Sequence, residues 1–223
     1  MPALSRHLRS VGPSVAAGLA GEQLWYTKRF FGLTASLPPL TPRPAKIDIE
    51  MRPEDARTFQ GFEDELQVAT GSDYVQVLLR RSLGRDGPGE LYVARSAEGR
   101  PIYAQWLIRP GDRDALYKHS PGRYAELGDD EVLVEGAYTF LAFRRLGAMR
   151  HAMGQLLRVA ADEGMTRAYT YVEIHNIPSL RGCSEVGFGP DHMRTSVRRL
   201  GIRRGSMLPI THLDRAVWEK ATG

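Results

Sequence analysis

The 223-residue sequence has a single cysteine, Cys183. One thiol excludes an intrachain disulfide framework and a cysteine-based zinc cluster, so no metal is expected and a reducing, cytoplasmic setting is. No run approaches the roughly 18 consecutive apolar residues that a spanning helix needs. The start of the chain lacks the compact apolar core and small-residue cleavage site of a secretory leader. No internal repeat is evident. No nucleic-acid motif accompanies the basic residues, which argues against a nucleic-acid partner. Apolar residues make up 42% and charged residues 25%, which excludes wholesale disorder and fibrous repeats.

Acid is scarce in one place. Residues 1–46 hold six Lys/Arg against the single acid Glu22, whereas the remainder holds 24 basic and 25 acidic residues. The formal charge of +4 therefore belongs to an N-terminal arm. Residues 14–31 can be read as a helix carrying Trp25, Tyr26, Phe30 and Phe31 beside Lys28 and Arg29. That composition suits peripheral contact with an anionic membrane face, and it equally suits rings that pack back on the domain. Pro38, Pro39, Pro42 and Pro44 make the following stretch an extended connector. The expected organisation is a basic arm with its Pro-rich connector over 1–46 and one domain over 47–223.

In that domain, apolar/polar alternation predicts a strand over 47–51. Pro53 with Glu54 and Asp55 reads as the start of a helix running to about 67, and a second helix is expected over about 73–83. Residues 91–95 and 102–108 form a candidate hairpin, and the polar stretch 109–130 reads as a long functional loop. A central strand over 131–141, a helix over 148–163 closed by Gly164, and a strand over 168–174 make one right-handed strand–helix–strand crossover. A short helix over 178–186 and strands over 193–200 and roughly 207–213 complete the chain.

Two local features flank the crossover. Arg144, Arg145, Leu146, Gly147, Ala148 and Met149 stand where a strand hands over to a helix. A helix start presents unpaired N–H groups and partial positive charge, so it suits phosphate, and glycine lets the backbone approach closely. After the second strand come Asn176, Ser179, Gly187 and Phe188, for which helix capping and a glycine stop are sufficient local reasons.

Together, the two features resemble the GNAT superfamily of acyl-CoA N-acyltransferases, and bacterial members with a basic N-terminal arm in particular. The matched pattern is an Arg-x-x-Gly loop opening a helix (Arg144, Gly147), then a strand, then Asn-x-x-Ser (Asn176, Ser179) and a terminal Gly-Phe (Gly187, Phe188). Met149 departs from the Gly/Ala of the third loop position. The resemblance implies an α/β (α+β) fold with a mixed, mostly antiparallel sheet and splayed central parallel strands. It implies acetyl-CoA or another acyl-CoA as co-substrate and a small amine, such as an amino sugar or a cell-envelope amine, as acceptor. By position, N–H groups from Arg145 to Met149 would cradle the diphosphate. The main chain of Tyr138, Thr139 and Phe140 would pair with the pantetheine arm, and Asn176 would lie near the reactive end.

Attack on a thioester needs a neutral amine, a stabilised oxyanion and a protonated leaving thiolate. Glu135, Glu173 and His175 are the candidate bases. Strand alternation puts Glu135 on the face opposite Tyr138 unless a bulge intervenes. Many superfamily members carry a Tyr acid four residues before the Gly of Gly-Phe, and Cys183 stands at that position. It is either a proton donor or a packed small apolar residue. Two other readings stay open: a catalytically degenerate module binding an anionic membrane or polymer, and transfer from a long-chain acyl or aminoacyl donor. A strand near the C-terminus is a candidate edge for a homodimer.

Overall fold

The computed structural model describes residues 25–200 and 202–223. Eight strands form one sheet. They are β1 (Trp25–Ser36), β2 (Met51–Glu54), β3 (Glu90–Arg95), β4 (Pro101–Ile108), β5 (Glu131–Thr139), β6 (Arg167–Glu173), β7 (Gly189–Arg199) and β8 (Ile202–Pro209), in the order β2-β3-β4-β5-β6-β1-β7-β8. All neighbours are antiparallel except β5 and β6. Among the described residues, six helices cover the two faces: α1 (Gly61–Leu66), α2 (Gly71–Asp86), α3 (Arg113–His119), α4 (Ala148–Asp162), α5 (Ile177–Glu185) and α6 (His212–Thr222). The mixed, mostly antiparallel α+β architecture is the expected one.

Each sheet face has its own core. On one, Met153, Leu156 and Leu157 of α4 pack with Leu180 and Cys183 of α5, Trp218 of α6, and Phe31, Leu33 and Val134 of the sheet. On the other, Phe62 of α1 and Val77 of α2 pack with Trp106, Tyr138 and Phe140. The spacing of apolar residues along α4 is what turns one side of it onto the sheet, and Gly164 ends the turn with φ +87°, as a helix-terminating glycine does.

The N-terminal segment departs from expectation. From Trp25 onward it is a strand lying inside the sheet, paired with β6 on one side and β7 on the other. Phe31, Leu33 and Ala35 are buried in the α4-side core, while Tyr26, Lys28 and Phe30 line a cavity on the opposite face. Period-two burial is strand geometry, so the helical reading of 25–31 is corrected, and with it the placing of Tyr26, Phe30 and Phe31 at a lipid boundary. The part of that reading on residues 14–24 lies outside the described residues. The Pro-rich connector runs extended over α4 and α5: Pro42 abuts Gly154, Leu40 N–H donates to Val186 O, and Lys46 N–H donates to Leu146 O.

Three further corrections concern local signals. Pro53 and Glu54 belong to the edge strand β2 rather than to a helix start, a place where a missing N–H costs nothing. The 109–130 stretch contains a 3₁₀ turn and α3. The C-terminal strand ends at Pro209, and helix α6 follows. Thr211 and Asp214 form a reciprocal capping box there, with Asp214 N–H to Thr211 Oγ1 at 3.2 Å and Thr211 N–H to Asp214 Oδ2 at 3.1 Å.

Leu33 is fully buried, so Leu33→Ala is expected to lower the free energy of unfolding by about 2–5 kcal/mol. Urea denaturation measures this. A change below about 0.5 kcal/mol would mean that β1 is a loosely attached arm.

Candidate active site

The parallel pairing of β5 and β6 covers only Glu131–Leu133 against Arg167–Tyr169. β6 pairs throughout with β1 on its other edge, and beyond the parallel segment β5 continues to Thr139 against β4. The sheet is therefore open between its two central strands for the remaining four residues of β6, roughly 13 Å at strand rise. A register shift in the β4–β5 ladder sits there: Trp106 opposes Glu135 while Ala104 opposes Tyr138. One extra residue in β5 makes this a bulge. Gly136 carries it at φ +69°, and a Cβ at that position would lie 2.7 Å from Trp106 Cε3. The bulge puts Glu135 on the same sheet face as Tyr138, the exception that alternation alone leaves open.

A cavity of about 550 Å³ occupies the opening. Its α4-side half is lined by Met149, Met153, Asn176, Ser179 and Cys183. The α2-side half is lined by Glu135, Arg80 of α2, Arg123 and Tyr124 of the loop after α3, and Arg194 of β7. Glu173 lines it as well, 4.0 Å from Lys28. Of the candidate bases, Glu135 and Glu173 reach the cavity. His175 sits exposed on the turn after β6 and is not among the lining residues.

Glu135 is the more enclosed carboxylate. One oxygen lies 3.5 Å from Arg123 Nη2, and Oε2 is buried without a hydrogen-bond partner among the described residues. Cys183 is fully buried, and desolvation pushes its thiol up to about 12. An ordinary thiol ionises near 8.5, so proton transfer from Cys183 to a leaving thiolate would run uphill. Packing accounts for this residue: it joins the α4-side core. Burial likewise raises the Tyr124 phenol, and it pushes that of Tyr171 up to about 12. The Tyr171 hydroxyl accepts from Ala125 N–H at 2.9 Å, and its ring meets Tyr124 edge-on at 5.4 Å. These contacts fold the 120–125 loop over the cavity.

At the opening turn of α4, Arg145 has φ +64° and Gly147 φ +79°, and no side chain caps the helix. Alternating left-handed residues before an uncapped helix turn N–H groups outward, as anion-binding backbone does. The residues present therefore fit a diphosphate there. Arg144 is less available than its position suggests, because its guanidinium holds Asp73 of α2 at 2.8 and 3.1 Å. Its Nε also donates to Thr139 O at 3.3 Å, and Arg80 Nη2 donates to Ala137 O at 3.2 Å. Tyr138 and Phe140 turn their rings into the α2-side core, with Tyr138 Oη 3.0 Å from Glu65 Oε1. Asn176 caps α5, accepting from Ser179 N–H at 3.4 Å.

Sequence reasoning missed Arg80, Arg123 and Arg194 as parts of this site. No motif marks them, because three distant segments bring them together.

No protein-family model matches the chain. Peptide chain release factor 2 of Thermotoga maritima is 22% identical, covering 77% of this chain and 51% of the release factor. The chain thus spans about half the length of the curated relatives it matches. A GCN5-related N-acetyltransferase from Sphaerobacter thermophilus superposes with a TM-score of 0.51 at 11% identity, covering 93% of this chain and 59% of that one. The glucosamine N-acetyltransferase region of a fungal multi-domain β-N-acetylglucosaminidase superposes with a TM-score of 0.53 at 16% identity, covering 85% of this chain and 22% of that one.

The raised thiol has a pH consequence. Unfolded Cys183 ionises from about 8.5 and the folded residue only near 12, so its contribution to stability falls as pH rises through that window. Iodoacetamide at pH 8 is expected to spare Cys183 in the native protein and to alkylate it in denaturant. Rapid native labelling, read by mass spectrometry, would contradict the burial.

With its largely antiparallel sheet opened along one parallel pair, and with the resemblance of its two loop motifs, the chain has the GNAT N-acyltransferase fold.

Proposed function

We propose that the protein is an acyl-CoA-dependent N-acyltransferase, most simply an acetyltransferase, acting on a small amine. The observation that carries this reading is the opening between β5 and β6. It joins the uncapped start of α4 and the cap of α5 on one sheet face to Glu135 on the other. A thioester donor and an amine acceptor can meet across such a gap from opposite sides.

N–H groups from Arg145 to Met149 would hold the donor's diphosphate. The free edge of β5 around Thr139 would align its pantetheine arm, displacing the Arg144 contact to Thr139 O. Asn176 and Ser179, which line the cavity, would lie beside the thioester end. The acyl-CoA thioester would supply an acyl carbon open to attack. As the amine nitrogen bonds to that carbon and the C–S bond breaks, one proton must leave the nitrogen and one must reach the departing sulfur. Glu135, which lines the cavity and has an oxygen without a hydrogen-bond partner among the described residues, would take the first. Glu173 lies at the more open rim, with 39% of its side chain exposed, and would help draw the ammonium in. Solvent would return a proton to the sulfur, since burial makes Cys183 too weak an acid.

Coenzyme A at about one hundred times its dissociation constant is expected to stabilise the protein by about 2.7 kcal/mol, visible as a rise in Tm. No thermal shift and no calorimetric heat with coenzyme A would defeat the reading. Glu135→Gln is expected to lower kcat by about 10²-fold or more, the usual weight of a general base, with little change in affinity for acyl-CoA. Unchanged turnover would remove Glu135 from that role.

A further inference from the structure

The α2-side half of the cavity is crowded with positive charge. Arg80, Arg123 and Arg194 line it beside the carboxylate of Glu135, with Lys28, Arg198 and a second carboxylate, Glu173 at 4.0 Å from Lys28, further along the same wall. Arg194 is only 4% exposed. Its guanidinium lies against the rings of Phe30 at 4.1 Å and Tyr171 at 4.9 Å. Nη1 donates to Arg123 O at 2.9 Å, and Nε is buried without a hydrogen-bond partner among the described residues. Arg80 Nε is buried in the same state, while its other nitrogens hold Ala137 O and Gln76 O, each at 3.2 Å.

Burial disfavours the charged forms of Arg80 and Arg194. Arg123 adds like-charge repulsion to both, and Glu135 offsets part of it. Glu173 stands by Lys28, so Glu135 is left to offset three guanidinium groups, and a buried donor without a partner costs free energy. Planar guanidinium forks match carboxylate and phosphate geometry. The donor's own diphosphate is not the missing anion, because its candidate seat at the start of α4 belongs to the opposite sheet face.

We propose that the amine acceptor carries an anionic group, a carboxylate or a phosphate, held between Arg80, Arg123 and Arg194 while its amine reaches Glu135. This deepens the N-acyltransferase reading and rests on it. The acceptor class is then a small zwitterionic amine, an amino acid or an amine phosphate, rather than a neutral amino sugar or a simple amine.

Matched pairs test this with acetyl-CoA as donor: leucine against isoamylamine, phosphoethanolamine against ethanolamine, and glucosamine 6-phosphate against glucosamine. The first pair reports a carboxylate and the other two a phosphate. In at least one pair, the anionic member is expected to have a kcat/KM at least about tenfold higher, the weight of a charge-assisted hydrogen bond. Arg123→Gln is expected to remove most of that preference through KM. Arg123 sits on a loop with 39% of its side chain exposed, so this variant tests binding at low risk to folding. Arg194→Lys, which keeps the charge but loses the fork, gives a second variant, and a thermal melt checks both.

Equal or better use of the neutral member in every pair would overturn the proposal, as would a preference that survives both variants. Faster acylation of neutral amines by succinyl-CoA than by acetyl-CoA would overturn it too, by assigning the anion to the acyl group. Calorimetry of the same amines without donor separates the two readings. Binding of an anionic amine with no thiol release keeps the anion seat and defeats acyl transfer. Acylation of neutral amines with no binding of any anionic one does the reverse.

Discussion

The structure turns on one residue that has no side chain. Gly136 places an extra residue in β5, in a left-handed conformation and against the ring of Trp106. Val132 and Val134 face the α4-side core, so alternation carries Glu135 to the arginine face, and the bulge after it brings Tyr138 to that same face. The three paired residues of β5 and β6 before the bulge hold the sheet together. The unpaired residues beyond it leave backbone groups for something other than a strand. Packing on both faces makes this tolerable: Trp106, Phe62 and Phe140 stack on the α2 side, so the split sheet is held by its helices.

Closing the far side of the split falls to β1. On the edge of β6 away from β5, β1 supplies a full antiparallel ladder from Phe30 to Ser36, which holds β6 in place both where it pairs with β5 and where it does not. The same strand carries β7 on its other edge and ties α6 down through Arg29 and Asp214 at 2.7 Å. Its two faces do different work. Phe31 and Leu33 complete the apolar core, and Phe30 supplies the ring on which Arg194 rests. A segment that composition assigns to an arm is thus a central part of the sheet and one wall of the site.

How much of this was legible follows from the range of each signal. The crossover from β5 through α4 to β6 was, because its cues are local: a period of 3.6 in α4, glycines at both ends, and short apolar strands. The hairpin of β3 and β4 was legible for the same reason. β1 was misread because its cavity-facing set, Tyr26, Lys28 and Phe30, is amphipathic and masks the period of two carried by Phe31, Leu33 and Ala35. Helix α6 had a signal that went unused, the Thr211-x-x-Asp214 capping box. Glu135 could be named from the strand, but that it shares a face with Tyr138 could not, since a bulge is a tertiary agreement between Gly136 and Trp106. The arginine cluster was illegible in principle: Arg80, Arg123 and Arg194 meet only once α2, a loop and β7 are folded onto one face.

The two halves of the cavity also differ in how they satisfy charge, and that difference orders the chemistry. On the α4 side, backbone N–H groups and the Asn176 cap offer fixed dipoles on rigid helix ends, which need no counter-charge when empty. On the α2 side, the site relies on full charges whose burial is costly until an anion arrives. A ligand on the first side gains little from shielding. One on the second side gains most once water is excluded, and the 120–125 loop, pinned through Tyr171 and through the Arg123 carbonyl on Arg194, already screens that half. On the proposed reading, the donor would meet fixed dipoles on one face and the acceptor's charge would be matched under the loop on the other, beside Glu135.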